Sequence, residues 1–273
     1  MDPASFHYIA DFLKKRAGIS IGEDKVYLVE SRLLSFVKRY NLNDFSGLVA
    51  ALEKEDNESL RDEVLDAMTT NETLFFRDSK PFEGFRGTII PDLMKKRQSR
   101  KSLRIWCAAA STGQEPYSIG MLLMEERAKL AGWNVSILGT DISRSSLKRA
   151  KEGVYSQFEV QRGMPMTMLV KYFHKQDNYW AINPELRDMV DYRELNLLDD
   201  YKHLGQFDIV FCRNVLIYFD LETKQKILAG IRRQMADDGI LVLGSAETVI
   251  RVTDHFKLIP DLKGFYTVNT ETA

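Results

Sequence analysis

The chain has 273 residues, of which 44% are hydrophobic and 28% charged, the make-up of an ordinary globular protein with length for one large or two modest domains. Thirty-eight Lys and Arg against 39 Asp and Glu leave a formal net charge of −1, which excludes a global field that would recruit nucleic acid or anionic lipid. There is no uncharged apolar run of about 18 residues, and the N-terminal "MDPASFHYIADFLKKR" lacks an apolar leader core, so the expectation is a cytosolic protein without a membrane span.

Residues 1–68 read as helical throughout. Phe6, Ile9, Ala10 and Leu13 recur at i, i+3, i+4 and i+7. A loop, "AGISIGEDK", leads into a second helix, "VYLVESRLLSFVKRYN", and "DFSGLVAALEKE" and "ESLRDEVLDAMT" are the third and fourth, with Asp44 and Asn57 or Glu58 near their starts. Lys25, Arg32 and Arg39 are spaced by sevens, a spacing that drifts only ~20° per step around a helix. They form one basic stripe, either a solvated face or a docking face for an acidic helical bundle.

The next stretch, "TTNETLFFRD", sets Asn71, Thr73 and Arg77 among Leu74, Phe75 and Phe76. The stem of Arg77 either packs on its aromatic neighbours or presents its planar fork to a carboxylate. From Leu103 onward strands and helices alternate, which implies a parallel sheet with helices on both faces. The expected division is a helical domain over 1–68, a linking and cofactor-covering segment over 69–102, and an α/β domain over 103–273.

The alternation opens with the strand "LRIWC", the loop "CAAASTGQEPYS" and an amphipathic helix, the entry unit of a Rossmann-like sheet. A dinucleotide loop carries G-x-G-x-x-G so that backbone can crowd a pyrophosphate, whereas this loop has only Gly113. Glu115, just before Pro116, is a carboxylate at a helix start, where the dipole favours it; on a nucleotide-facing loop it would also repel phosphate. The ligand that fits is a nucleoside with a cationic group and no phosphate, the description of S-adenosylmethionine. Asp141 ends the second strand, "VSILGTD", at the position that clamps ribose hydroxyls, and it or Ser143 also stands where a helix N-cap belongs.

Further on, "NYWAINPELRDMVDYREL" reads as antiparallel strands around the turn "NPEL", a small β-subdomain at about 178–195. "ELNLL" places Asn196 and Leu197 before the strand "FDIVFC", after which Arg213 and Asn214 stand at the strand end, the edge where open α/β sheets bind ligands, with Tyr218 following. A helix, a turn "ADDG", the strand "ILVLGS" and two final strands in "FKLIPDLKGFYTV" complete the chain. Cys107 and Cys212 end strands expected side by side, read as two buried thiols or as a redox pair, and none of the four histidines has metal-ligand spacing, so no metal is expected.

In this order and spacing, "TTNETLFFRD", "CAAASTGQEPYSIGMLL", "LGTDIS", "ELNLL" and "FCRNVLIYF" closely resemble the chemotaxis receptor glutamate methyltransferase family, CheR, over nearly the whole chain. The resemblance implies a class I (Rossmann-like) S-adenosylmethionine-dependent methyltransferase sheet with an N-terminal all-helical domain and a small inserted antiparallel β-subdomain. It implies that Asn71, Thr73, Arg77, Glu115, Asp141, Asn196, Leu197, Arg213 and Asn214 line the site for S-adenosyl-L-methionine and its product S-adenosyl-L-homocysteine. Arg77 and Tyr218 would lie nearest the transferred methyl. The implied substrates are glutamate side chains on the cytoplasmic helices of chemoreceptors, with docking through Lys25, Arg32 and Arg39. Members that tether to a receptor's C-terminal pentapeptide carry a Gly-x-Gly insertion in the β-subdomain, and "YFHKQDNYWAINPEL" has no glycine, which favours direct docking on the receptor helices. Nothing in the sequence demands more than a monomer.

Three rivals share part of this reading. A nucleic-acid methyltransferase would want a basic groove and an N-P-P-Y-like strand end. A non-catalytic cofactor-binding signalling module would not need Arg77 and Tyr218. A nicotinamide oxidoreductase lacks its glycine fingerprint here.

Overall fold

The computed structural model describes residues 1–272, which fold as two compact units, Met1–Thr70 with Ile217–Lys224, and Asn71–Leu216 with the chain from Gln225 onward. The first unit holds helices α1 (Pro3–Ala17), α2 (Val26–Arg39), α3 (Phe45–Glu53) and α4 (Glu58–Met68). Helix α1 starts where the Asp2 carboxylate accepts the Ser5 N–H at 2.9 Å with Pro3 in its first turn, and stops at Gly18, whose φ of 72° only glycine adopts without strain. Phe6, Ile9 and Leu13 of the predicted repeat are buried, with Val29, Leu33, Leu48 and Val64 from the other helices. Residues 217–224 join this unit through the Ser20 N–H, which donates to the Tyr218 carbonyl at 2.9 Å, and through an ion pair between Lys14 and Asp220. The charges of the predicted basic stripe are not equivalent. Arg32 donates to the carbonyls of Met68 (2.7 Å) and Thr69 (2.9 Å) at the end of α4, while Arg39 pairs with Glu63 and Lys25 stays exposed. Helix C-termini leave carbonyls without intrahelical donors, and Arg32 supplies two.

In the second unit α5 (Lys80–Gly84) and α6 (Ile90–Lys96) precede strand β1 (Ser102–Ala108), α7 (Gln114–Glu125), β2 (Asn134–Asp141) and α8 (Arg144–Glu152). A three-stranded antiparallel sheet follows, of β3 (Val154–Ser156), β4 (Phe173–Gln176) and β5 (Tyr179–Ile182), with α9 (Gln157–Gln161) and α10 (Met166–Tyr172) between β3 and β4. The chain continues through α11 (Pro184–Arg187), β6 (Val190–Glu194), β7 (Phe207–Cys212), α12 (Leu221–Arg233), β8 (Met235–Leu243), β9 (Phe256–Leu258) and β10 (Phe265–Val268). The main sheet runs β6-β2-β1-β7-β8-β10-β9, parallel from β6 to β8. From β1 the chain works outward to β2 and β6, then crosses back to β7 on the other side of β1. The strand order therefore reverses between β1 and β7, and the crevice of such a sheet opens at the carboxyl ends there. Register keeps those ends level: Ala108 stands opposite Thr140 and Cys212, and Cys212 opposite Leu243. All six residues of β7 are buried, because a central parallel strand is covered on both faces.

Three expectations change. "NPEL" is not a hairpin turn: Pro184 opens the short helix α11, and the strands on either side of it enter different sheets. Strand β5 completes the small antiparallel sheet, whereas β6 pairs in parallel with β2, so that sheet is built from residues 154–182 rather than 178–195. "ADDG" lies inside β8 as a bulge, where the register with β7 shifts between Phe207 and Ile209. Strands β1 and β7 are neighbours as expected, but Cys107 stands opposite Phe211 and Ala108 opposite Cys212. The two thiols therefore point to opposite faces of the sheet and cannot bond to each other, which removes the redox-pair reading. Burial pushes both thiols up, the opposite of an activated cysteine. Among the described residues no helix is long and apolar enough to cross a membrane.

The amino-terminal edge of the sheet is closed by charge. The Arg97 guanidinium, 8% exposed, donates to Asp208 at 2.8 Å and to Asp238 at 2.6 Å, and the buried Asp208 also accepts from Arg100 and from the Arg104 N–H at 2.8 Å. Arg97 holds the Asp238 carboxyl below the usual carboxylate range. Arg97→Met is expected to destabilise the protein by about 3 kcal/mol at pH 7, the low end for stripping a buried ion pair of one member, because Arg100 remains on Asp208. The Asp238 share of that stability is present above the unfolded carboxyl pKa and is lost as pH falls through the depressed folded value. The gap between wild-type and variant melting temperatures therefore narrows below a pH of about 4, read from thermal melts between pH 7 and pH 2.

Candidate functional site

Five loops leave the level carboxyl ends of the parallel strands, and the predicted site residues of the second unit lie on them and on residues 71–78. The loop after β1 folds tightly: Ala109, Ser111 and Gly113 have φ of 68°, 50° and 95°. Left-handed backbone at a non-glycine residue costs on the order of 1–3 kcal/mol and is held here by its surroundings. The Ser111 N–H donates to Asp141 Oδ2 at 2.7 Å, and the Ser111 hydroxyl donates to the Asn71 carbonyl at 2.8 Å. Gly113 serves packing as well as backbone. A Cβ there would lie 2.8 Å from the Tyr192 hydroxyl and 3.0 Å from the Ala150 side chain. The loop's single glycine thus seats the turn against its own protein and forms no phosphate cradle.

Asp141, at the end of β2, ties two loops together. Its Oδ1 accepts the Ser143 N–H at 2.9 Å while Oδ2 holds Ser111, and Ser143 is itself the cap of α8, accepting the Ser146 N–H at 3.1 Å. The Asn71 amide donates to the Ser143 hydroxyl at 3.4 Å, and the Asp141 carbonyl accepts the Leu195 N–H at 3.0 Å. Asn71, Ser111, Asp141 and the start of the Asn196–Leu197 loop are thereby joined. Asn196 turns that loop by accepting the Leu198 N–H at 3.1 Å on its side chain, and Leu197 is half-buried beside it.

A second group centres on Arg213. Its guanidinium donates to Glu115 Oε2 at 2.5 Å, to Asp78 Oδ2 at 3.1 Å and to the Arg77 carbonyl at 2.8 Å, and stacks 5.5 Å from the centre of the Phe82 ring. Its buried Nε–H has no acceptor among the described residues. Burial pushes the Glu115 carboxyl up, Arg213 pulls it back down, and the charge of Glu247 pushes it up further. Arg77 is half-buried and donates to the Glu72 carbonyl at 3.0 Å, and Thr73 is also half-buried. Asn214 follows Arg213 with φ 58°, a conformation asparagine tolerates better than most residues.

All nine predicted cofactor residues therefore belong to one unit, at one edge of one sheet. Tyr218 belongs to the segment that folds with the helical unit. Phe75 is fully buried in the core edge-on to Tyr155 and Phe173, whereas Phe76 is only partly buried. Ser143, one of the two N-cap candidates, is the cap, whereas sequence reading missed Ser111, Asp78 and above all Glu247. The last accepts four backbone N–H groups, from Asn214, Val215, Leu216 and Gly244. The available signal was an acidic residue just past a strand end in "LGSAE", which resembles many surface carboxylates.

The donors and acceptors present suit S-adenosylmethionine. The unpartnered Arg213 Nε–H calls for an anionic or carbonyl oxygen, the two carboxylates Glu115 and Asp78 on one guanidinium favour a cation, and the β1 loop has no phosphate cradle.

Comparison with known proteins agrees with this chemistry. Residues 4–69 match the family described as "CheR methyltransferase, all-alpha domain", and residues 71–265 match "CheR methyltransferase, SAM binding domain". The chain is 41% identical over 258 residues to a chemotaxis protein methyltransferase, Cher2, of Pseudomonas putida, covering 93% of this chain and 94% of that one. It is 42% identical over 260 residues to chemotaxis protein methyltransferase 1 of Pseudomonas aeruginosa, covering 94% of each. It is 38% identical to chemotaxis protein methyltransferase 1 of Vibrio cholerae, over 91% of this chain and 90% of the relative. With an all-helical domain followed by an S-adenosylmethionine-binding methyltransferase domain, the chain belongs to the CheR methyltransferase family.

Proposed function

We propose that this protein methylates glutamate side chains on the cytoplasmic helices of bacterial chemoreceptors, forming γ-methyl esters and S-adenosylhomocysteine. The observation that carries the reading is the buried pair Arg213 and Glu115, joined by Asp78 and the Arg77 carbonyl, on the same sheet edge as Asp141. When bound, S-adenosylmethionine supplies an electrophilic methyl group on a sulfonium.

The chain's own residues supply binding and orientation. Asp141 would take the ribose hydroxyls, and the Asn196–Leu197 loop the adenine. Glu115 would face the α-ammonium, and Arg213 the methionine carboxylate through its unpartnered Nε–H. Asn71 and Thr73 would cover the site, with Asn214 at its β7 side. Arg77 and Tyr218 are assigned nearest the reacting centre, Arg77 holding a carboxylate there without clamping it so tightly that the nucleophile is blunted. A glutamate side chain has an unperturbed pKa of ~4.3 and is already the nucleophile at neutral pH, so the absence of a general base from the assigned residues is no obstacle. Positioning then supplies much of the acceleration, since well-oriented reactants gain ~7–11 kcal/mol.

Receptor docking is assigned to α2 and the residue before it, where Arg39 and Lys25 are exposed, while Arg32 also serves to cap α4. The β4–β5 connection is the two-residue turn Asp177–Asn178, with Asp177 at φ 52°, which supports docking on receptor helices without a pentapeptide tether.

The reading is tested with chemoreceptor-bearing membranes, a radiolabelled methyl donor and mild alkali. The expected label is released as methanol, the mark of a carboxyl ester. Alkali-stable label would move the acceptor to nitrogen or carbon, and donor binding without transfer would favour a non-catalytic module. Asp141→Ala is expected to weaken S-adenosylhomocysteine binding by about 1–3 kcal/mol, the loss of a buried hydrogen-bond partner, read by calorimetry. Unchanged affinity would remove Asp141 from the site.

A further inference from the structure

Glu247 lies just past β8, only 9% exposed, with no cation among its hydrogen-bond partners. Its Oε1 accepts the N–H groups of Val215 at 2.9 Å and Leu216 at 2.7 Å, and its Oε2 those of Asn214 at 2.7 Å and Gly244 at 2.8 Å. Three successive N–H groups converging on one anion make a backbone nest, the arrangement that elsewhere holds a phosphate. Here the anion is a side chain of the protein itself. The residues it gathers are those by which the chain turns out of β7, immediately after Arg213, and the turn passes through the left-handed backbone of Asn214.

The turn that presents the carboxylate is shaped for it. The Glu247 N–H donates to the Gly244 carbonyl at 3.0 Å. A Cβ on Gly244 would stand 2.6 Å from Glu247 Oε2, 2.9 Å from Asn214 Nδ2 and 3.0 Å from the Asn214 backbone nitrogen. Only glycine lets the β8 end, the carboxylate and the Asn214 turn meet this closely. The four N–H donors offset the burial of this carboxylate, and the carboxylate in turn holds the backbone that supplies three of them.

We propose that Glu247 is a positioning residue of the cofactor site, fixing the backbone of Asn214–Leu216 and through it the side chains of Arg213 and Asn214 in the conformation that receives S-adenosylmethionine. The assignment rests on the function proposed above. It gives Glu247 no contact with cofactor or substrate. Its charge, felt at Glu115, adds to those of Glu115 and Asp78 and so favours a cationic ligand over an anionic one.

The experiment compares wild type, Glu247→Gln and Gly244→Ala as full-length chains. Binding of S-adenosylhomocysteine is followed by calorimetry at a temperature where circular dichroism shows each variant folded, with amide hydrogen exchange read over the same samples. In Glu247→Gln the amide NH₂ replaces one acceptor oxygen and leaves two of the four N–H groups facing a donor. Affinity is expected to fall at least about tenfold, with faster exchange concentrated at Asn214–Leu216. The KM for S-adenosylmethionine rises while that for the receptor does not. Gly244→Ala keeps the carboxylate but crowds it, and shifts affinity in the same direction. It decides the question if Glu247→Gln does not fold. A lower melting temperature with affinity within twofold of wild type would mean that Glu247 only stabilises the fold, and would overturn the proposal. A wild-type chain that binds no S-adenosylhomocysteine would instead overturn the underlying functional reading.

Discussion

The guanidinium of Arg213 is taken almost entirely out of water, and three stretches of chain depend on it. It meets Glu115 at the start of α7, Asp78 and the Arg77 carbonyl in the segment before α5, and it stands itself at the end of β7. A buried charge is tolerated only when it is paired and hydrogen-bonded, so these stretches must converge for the chain to fold at all. The convergence then does chemical work, because it leaves one buried N–H without an acceptor and a carboxylate whose charge is only partly offset. Removing either acid would leave the arginine short of partners. Removing the arginine would leave two acids facing one another.

The same sheet carries a charge cluster at each end, with different consequences. At the amino edge Arg97 and Arg100 meet Asp208 and Asp238 in a cluster of matched charge, and Asp208 also accepts the Arg104 N–H. At the carboxyl edge Glu115 and Asp78 share one guanidinium, backbone is held in left-handed conformations at Ala109, Ser111 and Asn214, and a donor is left over. Unmatched charge lies where a ligand would meet it, and compensated charge lies where stability is the requirement. The β1 loop follows the same logic. Its glycine is required by Tyr192 and Ala150 behind it, not by a phosphate in front.

The helical unit is organised around its own interactions. Arg32 illustrates how a surface pattern and a structural role share one residue: its spacing places it in a basic row, while its donors close the end of α4. A row of cations in the sequence is thus no measure of charge on offer to a partner, since each arginine can be engaged by carbonyls or carboxylates from elsewhere in the unit. Residues 217–224 make a related point. They begin five residues after β7, yet fold with α1 and Ser20, some two hundred positions earlier.

Local patterns sufficed for the four N-terminal helices, the alternating α/β order, the short glycine-poor loop and the carboxylates at strand ends, because periodicity, caps and strand-end positions are written in neighbouring residues. The family resemblance added the positions of Asn71, Thr73 and Arg77 to a reading that chemistry alone left open between surface packing and ligand capture. What pairs with what lay outside that reach. "VDYRE" shows the alternation of a half-buried strand whether its neighbour is the hairpin before it or β2 across the sheet, and only the packed structure placed it beside β2. The opposed faces of Cys107 and Cys212 follow from register, which one residue of slip would reverse. Glu247 is the clearest case. In sequence it is one acid among 39 acidic residues, and its significance arises only when the end of β8 is brought against the turn after β7, so that a side chain meets backbone donors thirty residues away. The sequence by itself determined the elements and the chemical types at their ends. The tertiary structure decided their partners, because hydrogen bonds and ion pairs between distant segments depend on distances that no local pattern contains.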